Sequence, residues 1–407
     1  MVKRESTAPF LFFILDLPSG ISSGFASITL PFILTQAGFS VAAAGYIVAL
    51  GVSANLWRFL WGPVADFTLS ARRWYLIGLV TTAVTLLLLG LIPLRPDSTG
   101  LLNAVVFISQ VASTLVMLPL GGLMAHTVSD DMKGRAAGWY QAGNLGGNGI
   151  GGGAGVWLAA HYSKEVAAWS ISFSMLACAL ALFFVSDVRL VATETFVQRM
   201  RFLGQDLLAI VRSALPLFIT VLVCSPIGAG GMSNLWAAVA PDWHADADTV
   251  ALVGGVLNGI ISAAGCVVGG WVADRIGIWW AYFGSGVAIA IVAIVMAIAS
   301  RTPGIFSSGV LVYAFSQGLA YATFSAIVLV AIGRGAASTK YAALSSLGNL
   351  PVVYMTALDG WVHDKYGTSW MLHFDALSGI VCIIVAMFVL KKIKATPDNP
   401  LKTPNRR

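Results

Sequence analysis

Apolar residues fall in twelve long runs along the chain, at about 9–35, 41–65, 74–94, 100–125, 136–160, 166–186, 214–239, 249–272, 278–300, 304–332, 341–360 and 369–390. A helix needs about 20 such residues to cross a bilayer, so each run is a candidate span. The polar stretches between them are short. The pattern predicts an all-α membrane protein with 12 transmembrane helices. The first run is too long for a signal-peptide core and leads straight into the second, so it is read as retained.

Composition sharpens this. Hydrophobic residues make up 57% of the chain and charged residues only 10%, against about 25% charged in soluble domains. No soluble domain is left over to carry separate chemistry. A membrane-embedded enzyme would be expected to show a His-Glu-x-x-His helix, or a Ser or Cys beside a base. No such pattern is in the sequence, and no Walker loop. No cofactor, metal or catalytic residue is expected. Cys178, Cys224, Cys266 and Cys382 all fall inside spans without metal-ligand spacing and are expected to pack as small apolar residues.

The net charge is +6, and its placement carries more information than its size. An even helix count puts both termini on one side. That side receives 19 of the 24 Lys and Arg, among them Arg72, Arg73 and Arg275. Arg95, Lys164, Arg301 and Lys365 fall on the other side, and Arg58 lies inside a span. The positive-inside rule then places both termini in the cytoplasm, with the chain in the cell (inner) membrane. The basic excess reports topology and contact with anionic lipid, so the expected partners are the bilayer, a small solute and protons, with no nucleic acid. A monomer is expected.

The chain also repeats itself. "GPVAD" at 62–66 recurs as "GWVAD" at 270–274, an offset of 208. At that offset Pro18, Gly20 and Gly51 fall on Pro226, Gly228 and Gly259. "GNL" at 143–145 recurs at 348–350. Both copies start and end on the same side after six helices. The expected organisation is therefore an N-terminal six-helix bundle (1–187), a cytoplasmic linker (188–213) patterned as a surface amphipathic helix, a C-terminal bundle (214–391) and a tail (392–407).

Two six-helix halves in parallel repeat resemble the major facilitator fold. The Gly-x-x-x-Asp turn followed by arginines is similar to the signature between helices 2 and 3 of those transporters. Here it reads Gly62, Asp66, Arg72 and Arg73 in the first half and Gly270, Asp274 and Arg275 in the second. The late arginine pair, the "RFLWGP" lead-in and the early "DLPSGI" resemble the branch of AmpG-type muropeptide permeases and acetyl-CoA transporters, with siderophore importers related. The resemblance implies that these charges form a cytoplasmic gate, and that helices 3, 6, 9 and 12 are the outer ones.

Polar residues inside the spans follow one helix face at a time. Asp16, Ser19, Ser23 and Ser27 run along the first span, and Asn55 and Arg58 along the second. Gln110 sits in the fourth span, Gln141, Asn144 and Asn148 in the fifth, and Asn234 in the seventh. Asn258, Gln317 and Asn349 follow in the eighth, tenth and eleventh. The middles of spans 3, 6 and 9 hold no charged or amide residue. These stripes predict a polar solute and proton path, with Asp16 and Arg58 as candidate partners because isolated charges within spans are costly. Arg58 precedes Asp66 by about 12 Å of helix rise. Gly143, Gly147, Gly151 and Gly155 form a ridge expected to let the fifth helix meet the eighth closely between the halves. His373, Asp375 and Asp359 are read as interfacial, and Trp236, Trp243, Trp279, Trp280 and Trp370 as a belt. The expected function is secondary transport of a polar organic solute by alternating access, as proton-coupled uptake. An efflux pump of the same fold and a non-transporting receptor are the alternatives.

Overall fold

The structure is a computed structural model. It describes residues 7–129, 132–185, 214–332 and 343–395, with Gln198, Arg201, Gly204 and Gln205 between them. The side chains of 62–67, 96, 125, 133–135, 137, 214–215, 329–332 and 394–395 are not among those described. The linker 188–213, apart from those four residues, and the tail beyond Ala395 lie outside the described residues.

The described residues are helical, without a strand. The first half contains α1 (Leu11–Gln36), α2 (Val41–Phe67), α3 (Ala71–Leu91), α4 (Thr99–Thr127), α5 (Lys133–His161) and α6 (Lys164–Phe184). The second contains α7 (Ala214–Val223), α8 (Ala247–Ile276), α9 (Ile278–Ile298), α10 (Pro303–Ile332), α11 (Leu350–Tyr366) and α12 (Thr368–Ala395). Among the described residues, nine of these are long and apolar enough to cross a membrane. The exceptions are α5, diluted by glycines and amides, the short α7, and α11. Serine caps start three helices, with Ser40, Ser70 and Ser163 each accepting from a backbone N–H of the first turn.

Internal symmetry shows in one repeated tie. Tyr75 on α3 donates to the Leu15 carbonyl of α1 at 2.8 Å, and Tyr282 on α9 donates to Ile227 after α7 at 3.1 Å. Each buried hydroxyl thus binds the first helix of its half to the third.

Four sequence expectations change. The seventh run is not one helix. It stops at Val223 and resumes only as short helical turns over Gly231–Trp243. Pro226 lacks a donor, and Gly228 and Gly230 take φ of +64° and +71°, a region open to glycine. The glycine ridge packs within its own half. A Cβ at Gly143, Gly147 or Gly151 would strike the Phe13, Leu17 or Ile21 carbonyl of α1, and one at Gly155 would strike Thr29. The face of α5 that meets the second half carries Gly149 and Gly153, set against Gly255 and Ala251 of α8. Finally, Asp359 and Asp375 are not interfacial but 0% and 8% exposed. Helix α11 is wedged between α2, α12 and the broken α7 segment. Trp236 and Trp243 are likewise core residues: Trp236 meets Phe306 and Tyr313 edge to face and Trp243 lies tilted against Phe306, while Trp280 and Trp370 are exposed as a belt requires.

Contacts between the halves gather at the face away from the termini. There Asp364 accepts from the Ala42 N–H at 3.1 Å, and His161 stands 3.6 Å from Asp248. Gly360 lies against Val41 and Ala42, and Gly45 against Thr356 and Leu235. Along α5 and α8 Gly259 still lies against Leu145. Nearer the terminal face, Gly138, Gln141, Ser262 and Cys266 line open space instead. The halves meet at the distal face and part around a cavity.

Candidate functional site

The cavity has a volume of about 750 Å³, with an adjoining lobe of about 390 Å³ that shares Ser23, Asn55, Gln110, Gln141, Asn144 and Asn349. Its walls come from α1, α2, α4 and α5 of the first half, and from the broken α7 segment, α8, α10 and the start of α11 of the second. Among the described lining residues none comes from α3, α6 or α12, and α9 contributes Tyr282. The proposed path residues Ser23, Asn55, Arg58, Gln110, Gln141, Asn144, Asn148, Asn234, Asn258, Gln317 and Asn349 all line it. Asp16 does not.

Close approach of α1 and α5 builds one wall. A Cβ at Gly20 or Gly24 would fall on the carbonyl of Asn144 or Asn148, so these glycines let the two backbones touch. That contact pairs side chains in rungs. Asn144 donates to the Ser19 hydroxyl at 3.3 Å, and Asn148 to Ser23 at 3.5 Å. Ser19 in turn donates to Asp16 Oδ1 at 2.7 Å, while Oδ2 has no hydrogen-bond partner among the described residues. Asp16 is fully buried one turn behind Ser19, so a single hydroxyl separates its carboxylate from the cavity. No ion pair joins Asp16 to Arg58. Tyr140 is within electrostatic reach of both.

The other wall is held by amides. Ser233 donates to Gln317 Oε1 at 2.6 Å, and Asn234 donates to Thr356 at 3.0 Å. Gln110 donates to Ser22 Oγ at 3.1 Å. These groups are already engaged. Asn55, Arg58, Gln141 and Asn258 make no hydrogen bond to another described residue, which leaves them for a ligand. Arg58 is the one charged side chain among the described lining residues. The chemistry on offer is a single guanidinium, suited to a carboxylate or phosphate, inside a field of neutral donors and acceptors. No group of three or more His, Cys, Asp or Glu with metal-binding geometry occurs among the described residues.

Of the gate residues, Arg72 donates to the Leu182 and Val185 carbonyls, the second at 3.1 Å, and so caps the end of α6 in its own half. This is the favourable place for a cation on a helix dipole. Arg73, Gly270, Asp274 and Arg275 are exposed, with Arg275 4.3 Å over the Trp271 ring. Gly62 and Asp66 lie in the last turns of α2, and the side chain of Asp66 is not among those described.

At the distal face His363 bonds Asp242 at 2.9 Å and Asp364 at 3.3 Å, and Thr368 also donates to Asp242. Burial alone would push Asp242 up, but the bonds from His363 and Thr368 outweigh it and hold this carboxyl below its ordinary value. Burial opposes the charged form of His363 as well, and its two carboxylate partners overcome that and raise it. The sequence pass missed this network because its members are spread over 242–368 and share no spacing.

The family model described as Major Facilitator Superfamily matches residues 12–356. No curated protein matches the chain. Among solved structures, the nucleoside transporter NupG superposes with a TM-score of 0.70 at 15% identity, covering 94% of this chain and 99% of that one. A D-xylose-proton symporter gives 0.73 at 15%, covering 94% and 96%. Tetrameric PepTSo2 gives 0.68 at 14%, covering 95% and 98%. With two six-helix halves around a polar central cavity, the chain is a multi-pass membrane transporter rather than an enzyme, and it belongs to the major facilitator superfamily.

Proposed function

We propose that the protein imports a polar organic solute bearing one anionic group, in symport with protons. The observation that carries this reading is the cavity between the halves, where Arg58, the one charged side chain among the described lining residues, makes no ion pair with another described residue and stands beside free amides. A space of this size suits a solute of drug-like dimensions. The likeness of 56–74 to muropeptide and acetyl-CoA permeases favours an anhydro-muropeptide, a siderophore or a CoA ester. Both termini are cytoplasmic in this reading, so the described state faces inward. The bundles 1–187 and 214–391 rock about the distal contacts, and Asp66, Arg72 and Arg73, with Asp274 and Arg275, brace the cytoplasmic face when it closes. Asp16 takes up the coupled proton through Ser19.

The test is a binding screen on purified protein with those three solute classes, using a nucleoside and D-xylose as comparators. An anionic member should bind, and Arg58→Ala should weaken it while leaving any neutral ligand unchanged. Binding of neutral sugars alone, indifferent to Arg58→Ala, refutes the anionic reading.

A further inference from the structure

Outside the cavity, the second half buries two carboxylates that the transport path does not use. Asp359 on α11 is 0% exposed, and neither of its oxygens has a hydrogen-bond partner among the described residues. Asp375 on α12 is 8% exposed and receives one long bond from the Tyr313 hydroxyl at 3.4 Å. The two acids lie on the packed helices α11 and α12 and interact electrostatically. The same contact is pinned one turn away, where Ser378 reaches both Met355 and the Asp375 carbonyl.

Among the described residues no cation pairs with either of them. On α10 the facing titratable group is Tyr313, with Tyr321 further along. Gly231, Met232 and Asn234 of the broken α7 segment and Val41, Ala42 and Gly45 of α2 carry no charge. On α12 His373 bonds the Ser369 carbonyl. At the end of α11 His363 bonds Asp242, Asp364 accepts from Ala42, and Lys365 lies 4.6 Å over Trp361. Arg301 stacks 4.2 Å over Trp243 and donates to Ser369. Two interacting carboxylates in such a place cannot both be ionised, because an unpaired buried charge loses its hydration without gaining a partner.

Position says what the pair can do. Gly360, the residue after Asp359, touches Val41 and Ala42 of the first half. Separating α2 from α11 at the distal face would therefore open the turn of α11 that carries Asp359. Inward, Thr356 lies one helical turn from Asp359 and accepts from Asn234, which lines the cavity. The broken α7 segment covers the acid, since a Cβ on Gly231 would sit 3.1 Å from Asp359 Oδ2.

We propose that Asp359 and Asp375, with Tyr313, form a second proton-binding site, loaded from the distal solution when α2 and α11 part and sealed in the state described here. One proton from solution binds one carboxylate oxygen, taking the pair from two negative charges to one. This rests on the proton-coupled reading but is tested without any solute.

The experiment is infrared difference spectroscopy of the full-length protein in liposomes at neutral pH, on transfer to D2O. The wild type should show a protonated-carboxyl C=O band that exchanges slowly. Asp375→Asn and Asp359→Asn should each remove it, Asp16→Asn should leave it, and Tyr313→Phe should shift it, which keeps the test usable if an Asn variant does not fold. Absence of the band in wild type, its survival in both folded Asn variants, or its appearance only on removal of sodium ion overturns the proposal. None of those results bears on uptake through Asp16, and loss of proton-driven uptake with the band intact would refute the transport reading instead.

Discussion

Gly360→Val tests the idea that the distal contact is one of two alternative arrangements. A Cβ at Gly360 would sit 2.9 Å from the Val41 carbonyl oxygen and 3.1 Å from Ala42 Cα. The first is short by about 0.6 Å of the ~3.5 Å at which such contacts turn favourable. Both neighbours are backbone, so neither can swing aside. Overpacking of this kind costs about 1–3 kcal/mol, and valine's two further methyls put it toward the upper end. The strain exists only while α2 and α11 touch, so it acts on the balance between states, shifting it by about 5- to 150-fold. Pulsed electron spin resonance between labels at Gln36 and Tyr366, both exposed at the distal face, reads the separation directly. The main distance should move to a longer value in Gly360→Val, and less far in Gly45→Ala, whose Cβ meets Thr356 O at 2.9 Å. Gly284→Ala, with no atom within 4 Å, is the control. An unchanged distance in folded Gly360→Val would show that this contact is not what holds the distal face shut.

Three further outcomes are expected. Arg58→Ala should weaken an anionic solute by about 10- to 150-fold, the worth of a lost charge-assisted bond of about 1.5–3 kcal/mol, with Arg58→Lys between, as measured by calorimetry. Gly151→Leu should lower the melting temperature and membrane yield, because its side chain would strike the Ile21 carbonyl within the first half; normal yield with normal melting would contradict the described α1–α5 contact. For pH, His363 is raised and Asp242 lowered. The His363 contribution is complete below its ordinary 6.5 and fades as pH rises through its raised value. The Asp242 contribution is complete above its ordinary 3.8 and fades as pH falls through its lowered value. Thermal stability should therefore decline on alkaline titration past neutrality, and His363→Gln should remove that decline.

The sequence carried the helices and the polar stripes because both are local and periodic. Asn144 and Asn148 repeat with the helix, as do Ser19 and Ser23, and the fold then brings the two stripes into register. What stayed hidden depends on which face a neighbour covers. The ridge from Gly143 to Gly155 announces close packing, but not that its partner is α1 rather than α8. Asp359 and Asp375 look interfacial by position along their spans. Only the wedging of α11 between α2 and α12 makes them interior. The break after Val223 was signalled by Pro226, Gly228 and Gly230, whose combined effect is plain once the positive φ values are seen.

The account is tested most directly by solute accumulation in sealed proteoliposomes carrying the wild-type chain or Asp16→Asn, with an inward proton gradient imposed and then collapsed. The wild type should concentrate an anionic solute above equilibrium and release it when the gradient is collapsed. Asp16→Asn should exchange the solute across the membrane without concentrating it. Gradient-driven accumulation by Asp16→Asn equal to the wild type would contradict coupling through this carboxylate.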